Sequence, residues 1–191
     1  MGRVAARSRL TPEEYLAWER AQLDKHEYHA GDVLAIAGGS PRHNWVAGNV
    51  RSALKRRLDG ECFTFTSDQR VVFGDGRRYV YPDVSVVCGP IALQPGTDDV
   101  VANPSILIEV LSSTTEPCDR GLKWEGYQRI ASLTDYVLVS QHEVRIEHNL
   151  RAPDRGWFYR TYGPGERFAL GNGWQLDVDA IYARAFELPG D

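Results

Sequence analysis

At 191 residues the chain is long enough for a single domain with an ample core, a sheet with flanking helices. Hydrophobic residues make up 42% and charged residues 25%; 22 basic against 26 acidic side chains give a formal charge of −4, so no global basic field draws the chain to nucleic acid. No apolar run approaches the ~18 residues of a membrane span, which excludes a helical membrane protein.

The start, Gly2-Arg3-Val4-Ala5-Ala6-Arg7, is weakly basic but lacks the apolar stretch of a secretion signal. Residues 1–10 are expected as a flexible segment ahead of one domain that spans 1–191. Cys62, Cys88 and Cys118 form no CxxC pair and are odd in number, and all three are read as reduced thiols of a cytoplasmic protein.

Thr11-Pro12-Glu13-Glu14 predicts a helix start, with a cap, a first-turn proline and two acids for the dipole. Tyr15, Leu16, Trp18 and Leu23 give that helix an apolar side. Glu27 to Ala37 predicts a hairpin turned at Gly31-Asp32. After the break Gly38-Gly39-Ser40-Pro41, a helix runs from about Arg42 to Leu58, with Trp45, Val46, Val50, Leu54 and Leu58 at helical spacing. Strands follow at Cys62–Thr66, Gln69–Phe73, Arg77–Tyr81, Val84–Cys88 and Ile106–Leu111. A third helix is predicted over Asp119–Leu133. Tyr136–Ser140 is then a strand parallel to that of Ile106 through a right-handed crossover. Short strands fill Val144–Leu176, and a helical turn closes the chain within Val178–Ala185. The fold class is α/β, a mixed β-sheet flanked by helices.

One residue breaks the pattern. Ser105-Ile106-Leu107-Ile108-Glu109-Val110-Leu111 is a buried strand with a carboxylate inside it. A buried charge costs several kcal/mol unless it is paired or binds a metal. Asp83 stands at the start of the next apolar strand, and two inward acids on neighbouring strands call for a cation between them. Lys123 falls in the first turn of the helix after the Glu109 strand, beyond the strand's carboxyl end, with Tyr127 and Ile130 on its face. Two acids, a lysine and an open position for Mg²⁺ or Mn²⁺ suit phosphodiester hydrolysis.

These residues resemble a known family. Pro82-Asp83, Glu109-Val110-Leu111-Ser112 and Asp119-Arg120-Gly121 with Lys123 and Tyr127 are its core motifs. Thr11-Pro12-Glu13-Glu14-Tyr15-Leu16, His26-Glu27-Tyr28 with Gly31-Asp32-Val33, Ser40-Pro41-Arg42-His43-Asn44, and Ser67-Asp68 with Arg70-Val71 extend the match over nearly the whole chain. Together they resemble the Uma-two family of restriction-endonuclease-like proteins, within the PD-(D/E)XK nuclease superfamily. The resemblance implies a restriction-endonuclease-like core, Asp83 and Glu109 as metal ligands with the carbonyl of Val110, and Glu27 as a further site acid. The superfamily lysine two residues after the glutamate is absent, Leu111 standing there, and the resemblance moves that role to Lys123.

His43, Arg70, Arg51 and Lys55 are candidate substrate contacts, each weighed against a bland loop or solvated-helix role. His26-Glu27-Tyr28-His29 lacks the spacing of a zinc helix. The reading is a Mg²⁺- or Mn²⁺-dependent endonuclease on nucleic acid, DNA foremost, working as a homodimer or higher homo-oligomer. The alternatives are a non-catalytic nucleic-acid-binding or regulatory module on a nuclease fold, and a hydrolase of small phosphate esters.

Overall fold

The computed structural model describes residues 5–7 (backbone only), 9–58, 60–154 and 156–191. Residues 1–4 and 8 of the expected flexible segment lie outside that set. Within it, β1 (Ala5–Arg7) pairs with a strand of the core, which corrects the expectation for those residues. Helix α1 (Pro12–Glu19) opens on a reciprocal capping box: Thr11 Oγ1 accepts from the Glu14 amide and Glu14 Oε2 accepts from the Thr11 amide. Tyr15 and Leu16 are buried, but Leu23 lies beyond the helix end and is fully exposed, not on its apolar side.

β2 (His26–His29) and β3 (Asp32–Ala35) form the expected hairpin. Its turn is Ala30-Gly31 rather than Gly31-Asp32, with φ of 51° and 116°, because positive φ at both positions matches the strand twist. α2 (Pro41–Leu58) buries Val46, Val50, Leu54 and Leu58, one side chain per turn. β4 (Cys62–Thr66), β5 (Arg70–Phe73), β6 (Arg78–Val80), β7 (Val84–Cys88), β8 (Val100–Val101) and β9 (Ile106–Leu111) follow.

The helical segment after β9 differs from the one predicted. It begins earlier, at α3 (Glu116–Cys118), where Pro117 suits a first turn. It then widens into a π-helical turn over Asp119–Lys123 and ends with α4 (Trp124–Tyr127), short of Leu133. Lys123 therefore stands about two turns into the helical run, not in its first turn. β10 (Asp135–Ser140), β11 (Ile146–Arg151), β12 (Trp157–Tyr162), β13 (Arg167–Ala169), β14 (Gln175–Asp177) and α5 (Val178–Tyr182) complete the chain.

There are two six-stranded sheets where one was expected, plus the β13–β14 pair. The first has the order β1-β3-β2-β6-β5-β8, the second β12-β11-β10-β9-β7-β4. The chain passes between them several times; one passage, from β6 to β7, runs through Tyr81-Pro82-Asp83, where Pro82 has no amide to continue a ladder. In the second sheet β9 and β10 are parallel, as the crossover requires, while the other pairs are antiparallel. The mixed α/β class holds.

The two faces of β9 have different neighbours. Ile106, Ile108 and Val110 pack with Val46, Val50, Leu54 and Ile181 from α2 and α5. Leu107 and Leu111 pack with Tyr127, Ile130, Leu133 and with Phe73 of the first sheet. Glu109 alternates onto this second face, beneath the π turn and α4.

Cys62 and Cys88 are directly opposite on β4 and β7 and form a disulfide that does not involve Cys118. This corrects the reading of three reduced thiols. It also removes that reading's argument for the cytoplasm, where disulfides are uncommon. Among the described residues no helix is long and apolar enough to cross a membrane.

Candidate active site

Glu109, Lys123 and Glu27 come from three separate elements, β9, the π turn and β2, and all are at most 3% exposed. Lys123 Nζ lies 2.9 Å from Glu109 Oε1, 2.9 Å from Asp119 Oδ1 and 3.2 Å from Glu27 Oε1. The contact with Glu109 has hydrogen-bond geometry; that with Asp119 Oδ1 is a close ion pair without it. Tyr127 donates to the same Glu109 oxygen at 3.1 Å, and His29 Nε2 is 3.3 Å from Glu27 Oε2.

Local packing explains how a helix presents these groups. The π turn carries Asp119 and Lys123 inward together, a type of irregularity that recurs at functional sites. Tyr136 donates to the Asp119 carbonyl at 3.0 Å and holds the turn's start. Gly126 lets α4 lie directly on Phe73, because a methyl there would overlap the Phe73 ring. That close approach brings Tyr127 within reach of Glu109.

Asp83 sits just ahead of β7, and its Oδ2 accepts from the Val110 amide at 2.7 Å. His43 Nε2, from the start of α2, is 3.3 Å from that oxygen. In extended backbone the N–H and C=O of one residue leave on the same side. The Val110 carbonyl therefore faces the Asp83 side as well, where it also meets the His43 ring. Gly39 closes over the ring: a Cβ there would stand 2.6 Å from His43 Nδ1.

The electrostatics are lopsided. Burial pushes the Glu109 carboxyl up to about 8; Lys123 opposes this, while Asp119, Asp83 and Glu27 add to it. Burial draws the Lys123 ammonium down, but the charges of Asp119, Glu109 and Glu27 outweigh it and hold its pKa well above the ordinary value. Burial and the neighbouring Glu109 raise Tyr127 well above its usual range, so it remains a donor. For His43 burial acts downward, and the hydrogen bond and charge of Asp83 outweigh it, leaving the imidazole raised.

All of these groups except Tyr127, which lies behind Glu109, line one cavity of about 390 Å³. Asp83, Glu109, Lys123, Glu27 and His43 are all brought to it. Asp119 and Tyr127 join the cluster without having been singled out as site residues. Their signal was spacing: each lies four residues from Lys123, on the two sides of it. Three candidates lie elsewhere. Arg70 is buried, with Nε 2.9 Å from the Tyr81 hydroxyl and Nη1 2.8 Å from Asp99. Arg51 and Lys55 lie two and three turns along α2 from His43, outside the cavity lining.

The fold is shared with a solved structure described as "a putative nuclease belonging to DUF820" from Anabaena variabilis: TM-score 0.72 at 15% identity, over 92% of this chain and 99% of that one. At that identity the likeness concerns the fold, a nuclease-like α/β arrangement. The model of the Uma2 family, described as "Putative restriction endonuclease", matches residues 12–185, and the chain belongs to that family. Two proteins of Synechocystis sp. are similar along most of their length. The uncharacterized protein slr1290 is 36% identical over 91% of this chain and 92% of its own. The uncharacterized protein sll1609 is 34% identical over 81% and 88% respectively.

Proposed function

We propose that the chain is a Mg²⁺- or Mn²⁺-dependent endonuclease that hydrolyses phosphodiester bonds of DNA. The observation that carries the reading is the buried lysine shared by Glu27, Glu109 and Asp119 beside Asp83 in one cavity. Family membership supports the nuclease class.

The donor set fits a hard cation. Among the described residues no group of three or more His, Cys, Asp or Glu is arranged to hold a metal, so the fit rests on two acids and a backbone oxygen. The contacts of Asp83 fall on Oδ2 and those of Glu109 on Oε1. Asp83 Oδ1, Glu109 Oε2 and the Val110 carbonyl are the proposed ligands, all oxygens of the kind Mg²⁺ and Mn²⁺ prefer. A bound ion would acidify water and stabilise charge on the phosphoryl group. Lys123 keeps its proton and orients the attacking water by hydrogen bonding. Tyr127 and Asp119 fix the Glu109 and Lys123 head groups, and Glu27 steadies Lys123 from the opposite side. His43, with Nε2 3.3 Å from Asp83 Oδ2 and Nδ1 covered by Gly39, orients Asp83 in this reading in place of a direct phosphate contact. Cutting both strands of a duplex calls for two such centres, so the proposal extends to a homodimer.

The test is cleavage of supercoiled plasmid and of single-stranded DNA with Mg²⁺, Mn²⁺ or chelator, wild type beside Asp83→Asn. Metal-dependent cutting that falls by more than about 100-fold in the variant is expected. Equal cutting by the variant removes Asp83 from the mechanism. Neither cutting nor metal binding would favour the non-catalytic module, whose supporting observation is that, among the described residues, no arginine lines the cavity; metal binding without cutting would point to a missing substrate or partner.

A further inference from the structure

Among the buried charged clusters that the proposed chemistry leaves unused, one lies beside the site. Glu19, the last residue of α1, is 5% exposed and does not line the cavity. Its Oε1 accepts from the His26 amide at 2.9 Å and from the Tyr81 hydroxyl at 2.9 Å, and its Oε2 lies 3.1 Å from His26 Nδ1. His26 immediately precedes Glu27. Tyr81 precedes Asp83 by two residues, with Pro82, restricted in φ, between them. One carboxylate thus ties together the two backbone segments that carry Glu27 and Asp83. The segments belong to different parts of the fold, β2 in the first sheet and the crossing into the second.

The neighbours make the tie rigid. Tyr15 donates to the His26 carbonyl at 2.6 Å. Arg70 Nε donates to the Tyr81 hydroxyl, which leaves that hydroxyl's own proton for Glu19. Asp99 accepts from Arg70 and pairs with Arg20 at 2.7 Å, which anchors the far side of the cluster. Tyr81 also forms part of the cavity wall, so any shift of its ring is felt in the site.

We propose that Glu19 is a positioning residue: through His26 and Tyr81 it holds Glu27 and Asp83 in register across the two sheets. This rests on the reading of those two acids as members of the site, and it gives Arg70 a supporting role in place of a substrate contact. A merely structural network would stabilise α1 and, when cut, lower the stability of the whole fold evenly. A positioning network, when cut, loosens Asp83 selectively.

The Val110 amide reports on Asp83, because it donates to Asp83 Oδ2. Its hydrogen exchange in metal-free protein is therefore the readout, compared with the Val137 and Leu138 amides of β10. Tyr81→Phe keeps the ring and removes the hydroxyl; Glu19→Ala removes the hub; Glu19→Gln retains a carbonyl oxygen for both donors. Loss of one such bond is expected to speed Val110 exchange about tenfold in Tyr81→Phe, with Val137 and Leu138 unchanged and with wild-type behaviour in Glu19→Gln. Uniform acceleration of all three amides, or none at Val110, overturns the proposal. Should Glu19→Ala fail to fold, Tyr81→Phe decides alone. A parallel Mn²⁺ titration keeps the two readings apart: no binding by the wild type would sink the metal site, while Val110 exchange still decides the role of Glu19.

Discussion

Two glutamates of the second sheet, on the strands that flank β10, make an instructive pair. Glu109 on β9 and Glu147 on β11 are 3% and 4% exposed. Glu147 is gripped by Arg120 through both oxygens, at 2.6 and 2.8 Å, with Tyr159 donating at 2.9 Å and Arg145 Nε forming an ion pair at 3.2 Å. The Arg120 hydrogen bond leads in holding its carboxyl below the usual range, against burial. Glu109 has one cation, Lys123, which it shares with Glu27 and Asp119, and its carboxyl is pushed up to about 8. Similar exposure thus accompanies opposite outcomes: Glu109 lies deeper, where desolvation dominates, while hydrogen bonds from Arg120 and Tyr159 outweigh it at Glu147. The first acid is satisfied as built, as structural ion pairs are. The second shares its lysine with two further acids, and a buried carboxyl perturbed in this way marks a candidate functional site.

The largest effect should come from removing that lysine. Lys123→Met leaves Glu27, Glu109 and Asp119 facing one another, and breaking a buried pair in this way costs about 3–5 kcal/mol. Urea denaturation at pH 8 should show the loss, and acid conditions near pH 5 should recover part of it. Equal losses at both pH values would mean that the acids do not repel one another.

Packing on the Glu109 side comes next. Gly126→Ala pushes α4 off Phe73, and overpacking of this kind costs about 1–3 kcal/mol. Because Tyr127 rides on α4, DNA cleavage should fall further than the stability loss accounts for. Unchanged cleavage at full folding would free the site from dependence on that contact.

The pH dependence sharpens the comparison. Glu109 is raised in the folded chain, from 4.5 to about 8, so between those values the folded state holds a proton that the unfolded state lacks. Stability of the metal-free protein should therefore fall as pH rises from about 5 to 8. Glu109→Gln should flatten the slope. Glu147 is lowered, so its stabilisation is complete above 4.5 and is lost only on acidification. Glu147→Gln should leave the slope between pH 5 and 8 intact. Melting temperatures of the three proteins across that range decide the matter.

The smallest effect belongs to Arg120→Lys. The guanidinium is 38% exposed at its side chain, solvent screens the pair, and Arg145 and Tyr159 remain on Glu147. About 1 kcal/mol or less is expected by denaturation.

The clustering of the candidate site's acids and lysine was legible because a carboxylate inside an apolar strand is costly without a partner. That argument leads from Glu109 to Asp83 and Lys123 without any contact being known. Glu27 and His43 were harder, since a hairpin acid and a histidine after a glycine break have bland readings of equal weight. What escaped was set by contacts distant in sequence. Arg70 reads as a hairpin surface charge until Tyr81 and Asp99 close around it. Cys62 and Cys88 read as unrelated thiols until the antiparallel register of β4 and β7 sets them opposite. The division into two sheets follows from repeated passages of the chain between them through β3–β9, and connections such as Tyr81-Pro82-Asp83 resemble ordinary loops in the sequence. The π turn left no periodic trace, because the apolar spacing over 119–133 fits a regular helix as well.

That turn bears on how the protein can be re-engineered. A regular α-helix advances each residue by about 100°. Deleting one residue between Asp119 and Lys123 would tidy the helix and satisfy any algorithm that rewards ideal geometry. It would also swing Asp119 and the chain before it out of phase with Lys123, Gly126 and Tyr127. Thermostabilising designs that idealise this stretch should thus yield sturdier proteins with a silent site, and insertion-deletion scanning should find it the least tolerant helical segment of the chain.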